Sequence, residues 1–265
     1  GMLFFTENRG LLSDPRDDLI ALVDDGLDDF DIPGYVALAD LLDEGDGVIR
    51  RYLMAPVALA DRILLDGNVP ILGLPSLLAV RAAGLDPLAT SWMIGGRAMD
   101  REQPPEPIPY FGPPGTFPRV SLTRLLSDDA LNDPAVTALQ GKTVLIGATA
   151  AGLNDEHFTP YATRLFSGRG VLMSGVELHA NVLESLLSGE RLQPLGDGPR
   201  IGTLLLLVGL AVVAFVALPV WAGALLWLAT IPVLALSGFL AFRFDVLAPV
   251  SAYAVATAIA LLGVL

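Results

Sequence analysis

Four side chains able to do acid–base or metal chemistry fall within a short stretch: Asp155, His157, Glu177 and His179. The two histidines are the only ones in the chain. An imidazole titrates near neutral pH and ligates metals, and carboxylates can complete either kind of set. A plainer reading competes with this. Glu177 stands three residues after Ser174, the spacing of a capping box, and His179 on the same helix can hydrogen-bond a neighbouring loop. No nucleophile elbow and no H-E-x-x-H zinc helix accompanies them. The plainer reading is preferred, so no catalytic residue and no metal ligand is assigned. Gly147-Ala-Thr-Ala-Ala-Gly152 has the glycine spacing of a phosphate loop. It continues as Leu153-Asn154, without the lysine and hydroxyl that grip phosphate and magnesium. No cofactor is expected. The acidic pairs Asp17-Asp18, Asp24-Asp25 and Asp28-Asp29 lack the D-x-D-x-D-G pattern of a calcium loop and read as a solvated, loop-like segment.

The elements that must position these residues are α/β in pattern. Gly34–Ala39 and Gly47–Met54 read as short strands, with Asp46-Gly47 as the turn before the second. Pro75–Ala83 reads as a helix stopped at Gly84. Ser91–Ile94 and Ile108–Phe111 are further strands. The Pro-Gly clusters at 104–105 and 112–115 mark rigid loops. Val120–Leu126 passes from strand toward helix. Asp133 caps a short helix starting at Pro134 and ending at Gly141. Lys142–Gly147 then reads as a buried, near-continuous apolar strand of a sheet covered on both faces. The long connection Ala148–Gly170 follows. The helix Gly175–Leu187 carries Val176, Ala180, Leu183 and Leu187 as its expected buried stripe, with Gly189 as its stop. The fold expected for residues 1–200 is α/β, a mixed or mostly parallel sheet flanked by helices.

The whole chain has 265 residues, 53% of them hydrophobic, with 29 acidic against 16 basic residues and a net charge of −13. That balance excludes a dedicated nucleic-acid binder, which needs a basic surface. There is no cysteine, hence no disulfide and no thiolate chemistry. Beyond Arg200 the only charges are Arg243 and Asp245. A helix through the 42 uncharged residues 201–242 would run roughly 63 Å, about twice a bilayer core. Leu218-Pro219-Val220 breaks it. Three transmembrane helices are expected, at about 201–218, 220–242 and 246–265, joined by the Pro219 turn and by Arg243-Phe244-Asp245. Trp221 and Trp227 are expected near an interface. The start, Gly1-Met2-Leu3-Phe4-Phe5, reads as a strand within a domain and not as a signal peptide. Arg200 and Arg243 fall on one side of the bundle, and two residues do not fix orientation.

Several segments together resemble a known family. Residues 140–155 run QGKTVLIGATAAGLND. Thr159-Pro160 follows, and then Gly175-Val-Glu-Leu-His-Ala-Asn181 with Leu186-Leu187-Ser-Gly189. Asp46-Gly-Val-Ile-Arg-Arg51 and the loop Pro109–Phe117 agree. This pattern resembles the type-two CHASE sensory domains, extracytoplasmic input domains of bacterial transmembrane receptors. The family's N-terminal span and the opening of its sensory domain are missing here, as is its cytoplasmic output module. The resemblance implies a periplasmic or extracellular sensor at residues 1–200, anchored in the plasma membrane. It also implies a homodimer, an unidentified small-molecule or protein stimulus, and a class III nucleotide cyclase or protein kinase as output. The motif positions it marks are Asp46, Gly47, Arg50, Gly147, Asp155, His157, Thr159, Pro160, Gly175, Glu177 and His179. The rival readings are a membrane-anchored hydrolase using Asp155, His157 or Glu177, and a membrane adaptor. Transport is disfavoured, because the spans offer only Thr203, Thr230, Ser237, Ser251 and Thr257 as polar groups.

Overall fold

The computed structural model describes residues 3–8, 11–13, 36–55, 64–65, 69–149, 155–161 and 171–264. The acidic pairs between 17 and 29, and parts of the two glycine-bearing loops, lie outside the described residues. The chain forms two compact units, Gly1–Glu190 and Arg191–Leu265.

In the first unit the strands are β1 (Leu3–Asn8), β2 (Leu11–Ser13), β3 (Val36–Leu38), β4 (Leu42–Asp43), β5 (Ile49–Tyr52), β6 (Leu64–Leu65) and β7 (Val69–Pro70). Helix α1 (Leu74–Ala82), the hairpin β8 (Ser91–Ile94) and β9 (Arg97–Asp100), and β10 (Glu106–Pro107) follow. Short helices α2 (Leu122–Leu125) and α3 (Pro134–Thr137) precede β11 (Glu156–His157), β12 (Met173–Ser174) and the long helix α4 (Gly175–Ser188). The unit is mixed α/β, but its strands do not form one large sheet. Among the described residues they make small ladders: β2-β1-β3, β10-β5-β4, β6-β7, β8-β9 and β11-β12. Of these only β1–β3 is parallel. The single mixed or mostly parallel sheet expected is thus replaced, among the described residues, by small mixed and antiparallel ladders. The strands are too short, and the Pro-Gly connections too frequent, to extend a ladder.

Lys142–Gly147 is the clearest departure. It lies outside any ladder, with Val144 and Ile146 exposed, the latter 74%. Hydrophobic runs show what a strand would bury but cannot supply a neighbour, and no described strand lies beside this one. Ile108–Phe111 likewise forms no strand. The ladder there ends at Pro107, although Ile108 N–H still donates to the Arg50 carbonyl at 2.8 Å. Val120–Leu126 contains only the helical turn α2.

Other expectations match. Asp133 caps α3, its carboxylate accepting from Ala135 N–H at 2.8 Å. Gly84 and Gly189 end α1 and α4 with φ of +67° and +77°. The core packs α1 on α4 through Leu77 and Val80 against Leu178, Val182 and Leu186, with Trp92, Ile94, Met99 and Met173 around them. Each such buried side chain is worth about 1.5–3 kcal/mol. The buried stripe of α4 is rotated from the expected one: Leu183 is buried, while Val176 and Ala180 are half-buried and Leu187 is exposed. Leu178, Val182 and Leu186 fit the same helical period one face over.

The second unit holds β13 (Gln193–Pro194), α5 (Asp197–Ala217), α6 (Val220–Phe242), β14 (Val246–Leu247) and α7 (Val250–Val264). Helices α5 and α6 have 21 and 23 residues, with mean hydropathy 2.4 and 2.1, and are long and apolar enough to cross a membrane. Pro219 breaks the chain between them as expected. The expected third span is corrected. Residues 246–247 are strand, and α7 has 15 residues, about 22 Å against a core of about 30 Å. The Trp227 indole N–H donates to Thr257 Oγ1 at 3.1 Å, tying α6 to α7.

Candidate functional site

Five of the marked residues, Asp155, His157, Gly175, Glu177 and His179, meet where β11, β12 and the start of α4 come together. Glu156 and His157 pair antiparallel with Ser174 and Met173. This ladder delivers the chain to the first turn of α4, and Gly175 N–H donates to the Asp155 carbonyl at 3.0 Å. The Asp155 carboxylate also lies directly over Gly175, where a Cβ would overlap it. A side chain there would have to displace that carboxylate. The N-terminal end of a helix favours that negative charge. His157 Nε2 stands 3.3 Å from Asp155 Oδ1. His179, one turn into α4, is buried, and its Nδ1 has no hydrogen-bond partner among the described residues. Burial pushes its imidazole down to about 4. A hydrogen bond with the Ala39 backbone and the charge of Asp155 oppose that shift, and His157 adds to it. The ring is therefore neutral near pH 7.

The capping box is not formed. Ser174 holds the capping position with extended backbone, but its hydroxyl is buried without a partner among the described residues. Glu177 turns instead toward the Gly-Pro loop. Its Oε1 accepts from Gly115 N–H at 2.7 Å, and its Oε2 takes the Arg119 guanidinium. With the residue 3% exposed, both oxygens find protein partners in place of water. One helical turn on, Asn181 Oδ1 accepts from Phe111 N–H at 3.0 Å. Glu177 and Asn181 thus strap residues 111–115 onto α4. The i, i+4 spacing of this pair was visible in the sequence. Arg119, 58 residues away, offered no local signal.

The remaining marked residues sit around this centre or apart from it. Gly147 approaches Val176 so closely that a Cβ would overlap its side chain. Thr159 is fully buried and its hydroxyl accepts from Tyr161 N–H at 3.3 Å, with Pro160 in the turn between them. Phe158 joins this stretch to β5, its carbonyl accepting from Ile49 N–H at 2.9 Å. Asp46, Gly47 and Arg50 form an exposed turn staple. Asp43 accepts from Gly47 N–H at 2.9 Å, and Asp46 accepts from Val48 N–H at 3.0 Å and pairs with Arg50 at 2.8 Å. The Val48 amide first, then Arg50, holds the Asp46 carboxyl below its usual range. A second polar cluster was not foreseen: the Arg97 guanidinium pairs with Glu106, and Tyr52 Oη donates to the same carboxylate at 3.2 Å. Among the described residues no group of three or more His, Asp or Glu side chains is placed to hold a metal.

Chemically, the centre is a neutral buried histidine beside a carboxylate–histidine pair, at the end of a helix whose opposite end leads toward the apolar segments. Residues 9–217 match the CHASE2 domain family. No curated protein and no solved structure matches the chain. The match covers most of the polar unit and closes at the last residue of α5. The chain belongs to the CHASE2 domain family, extracellular sensory domains of membrane receptors that are themselves non-catalytic.

Proposed function

We propose that this chain is the input module of a multi-pass plasma-membrane receptor, with residues 1–200 outside the cytoplasm and the apolar helices relaying their state inward. The observation that carries the reading is the continuity of the family match from the polar unit through α5, an apolar helix with only 6% of its hydrophobic window buried. A protein surface that apolar is stable facing lipid and costly facing water.

In this reading the receptor is a homodimer, and its output is a class III nucleotide cyclase or a protein kinase. The sensing positions are Asp155, His157 and His179 at the start of α4, with Glu177 holding the Gly-Pro loop. A small-molecule or protein stimulus can shift such a module only by binding its two states unequally. The hydrolase reading gains nothing from the geometry, since Glu177 is already committed to Gly115 and Arg119.

The natural absence of cysteine makes the test direct. A single Ser127→Cys on the exposed α2–α3 connection should react with a membrane-impermeant maleimide in intact cells. Labelling only after lysis would place the polar unit inside and end this reading.

A further inference from the structure

The segment between α4 and α5 is held by an unexpected partner within the second unit. Gln193 and Pro194 pair in parallel with Val246 and Leu247, in the turn between α6 and α7. Gln193 N–H donates to the Asp245 carbonyl at 2.7 Å, and Leu195 N–H donates to the Leu247 carbonyl at 2.9 Å. Pro194, which has no N–H to give, falls between the two donors, where a proline costs the ladder nothing. Asp245 takes φ +59°, alone among the described non-glycine residues in having a positive value, and Asp tolerates that region better than most. Only Ala248 and Pro249 separate this ladder from α7, and the proline stiffens the joint. A second tie lies one turn into α7, where Tyr253 Oη donates to the Arg200 carbonyl at 3.3 Å.

We propose that this ladder is a clasp through which the segment entering α5 sets the position of α7 directly, in addition to any route along α5 and α6. The inference rests on the receptor reading above, because it concerns how a change leaves the polar unit. Helices α5 and α6 form an up-and-down pair of nearly equal length, so the start of α5 and the end of α6 lie at the same membrane face. At that border peptide groups have few other partners. A shift of residues 193–195 must therefore carry 246–247 with it or break the ladder. Carrying them moves α7.

The chain reconstituted in phosphatidylethanolamine–phosphatidylglycerol vesicles tests this by hydrogen exchange. Protease resistance of α5 and α6 is checked first: failure to insert sinks the receptor reading itself. In inserted protein, Leu195→Pro removes one clasp donor and should speed exchange over residues 243–253 about fivefold, the effect of losing one hydrogen bond. The middle of α5 should keep its rate. Leu192→Pro, outside the ladder, should change neither. A Gln193→Cys/Val246→Cys pair should oxidise and slow exchange over the same residues. Wild-type rates over 243–253 in inserted Leu195→Pro protein would overturn the clasp. Should that variant fail to insert, the cysteine pair decides, and its failure to cross-link overturns the clasp equally.

Discussion

At Glu177 a carboxylate gives up water for the Gly115 amide and the Arg119 guanidinium, and so ties a proline-rich loop to the helix that leads out of the polar unit. Removing one partner from a buried hydrogen-bonded set leaves the others unsatisfied. Because Arg119 is half exposed, water recovers part of its loss. Glu177→Ala should cost about 1–3 kcal/mol, read as a lower thermal midpoint in detergent solution. Glu177→Gln, which keeps an acceptor for Gly115, should lose less. His179 gives a pH dependence of defined sign. Its folded value of about 4 lies below the ordinary 6.5, so the unfolded chain binds the extra proton between those limits. The contribution of this histidine is full above pH 6.5 and is lost progressively as pH falls toward about 4. By pH 4 the loss reaches about 3 kcal/mol. The slope of stability against pH in that window should flatten in His179→Gln. An unchanged slope would mean that the ring is not buried neutral.

Among the elements, α4 shows what sequence could and could not tell. Its start, its end and its helical period were legible, because Ser174, Gly189 and the apolar spacing are local signals. The buried face was not, since several apolar residues lie around the helix and only the position of α1 selects among them. The failure of the capping box has the same origin. Glu177 obeys the local pattern, but a partner far along the chain outcompetes the helix end for it. The Lys142–Gly147 segment fails for a related reason: a strand is a relation between two segments, and the sequence of one shows half of it. The site was legible as a cluster of motif positions, whereas its strap to residues 111–119 came only from packing. At the far end of α4, Gly189 has φ +77° and lies so close to Gly95 in the β8–β9 turn that a Cβ would fall on that residue's carbonyl. Gly189→Ala should therefore cost about 2 kcal/mol or more, visible as a drop in the thermal midpoint. A midpoint equal to wild type would show that the hairpin does not press on this cap.

The molecule as a whole divides its chemistry by solvent. The first unit spends its charges on turn staples and straps around a small apolar core, and the second keeps only a few charged residues, all of them outside the apolar stretches of α5 and α6. A sensory input domain fits that division. The clasp between β13 and β14 adds a mechanical route across the top of the helices. All of this depends on lipid surrounding α5 and α6. Alkaline carbonate extraction of membranes from cells expressing the full chain tests that most directly. The expected result is retention in the membrane pellet, with release only by detergent. Recovery of the chain in the carbonate supernatant as a soluble protein would contradict it.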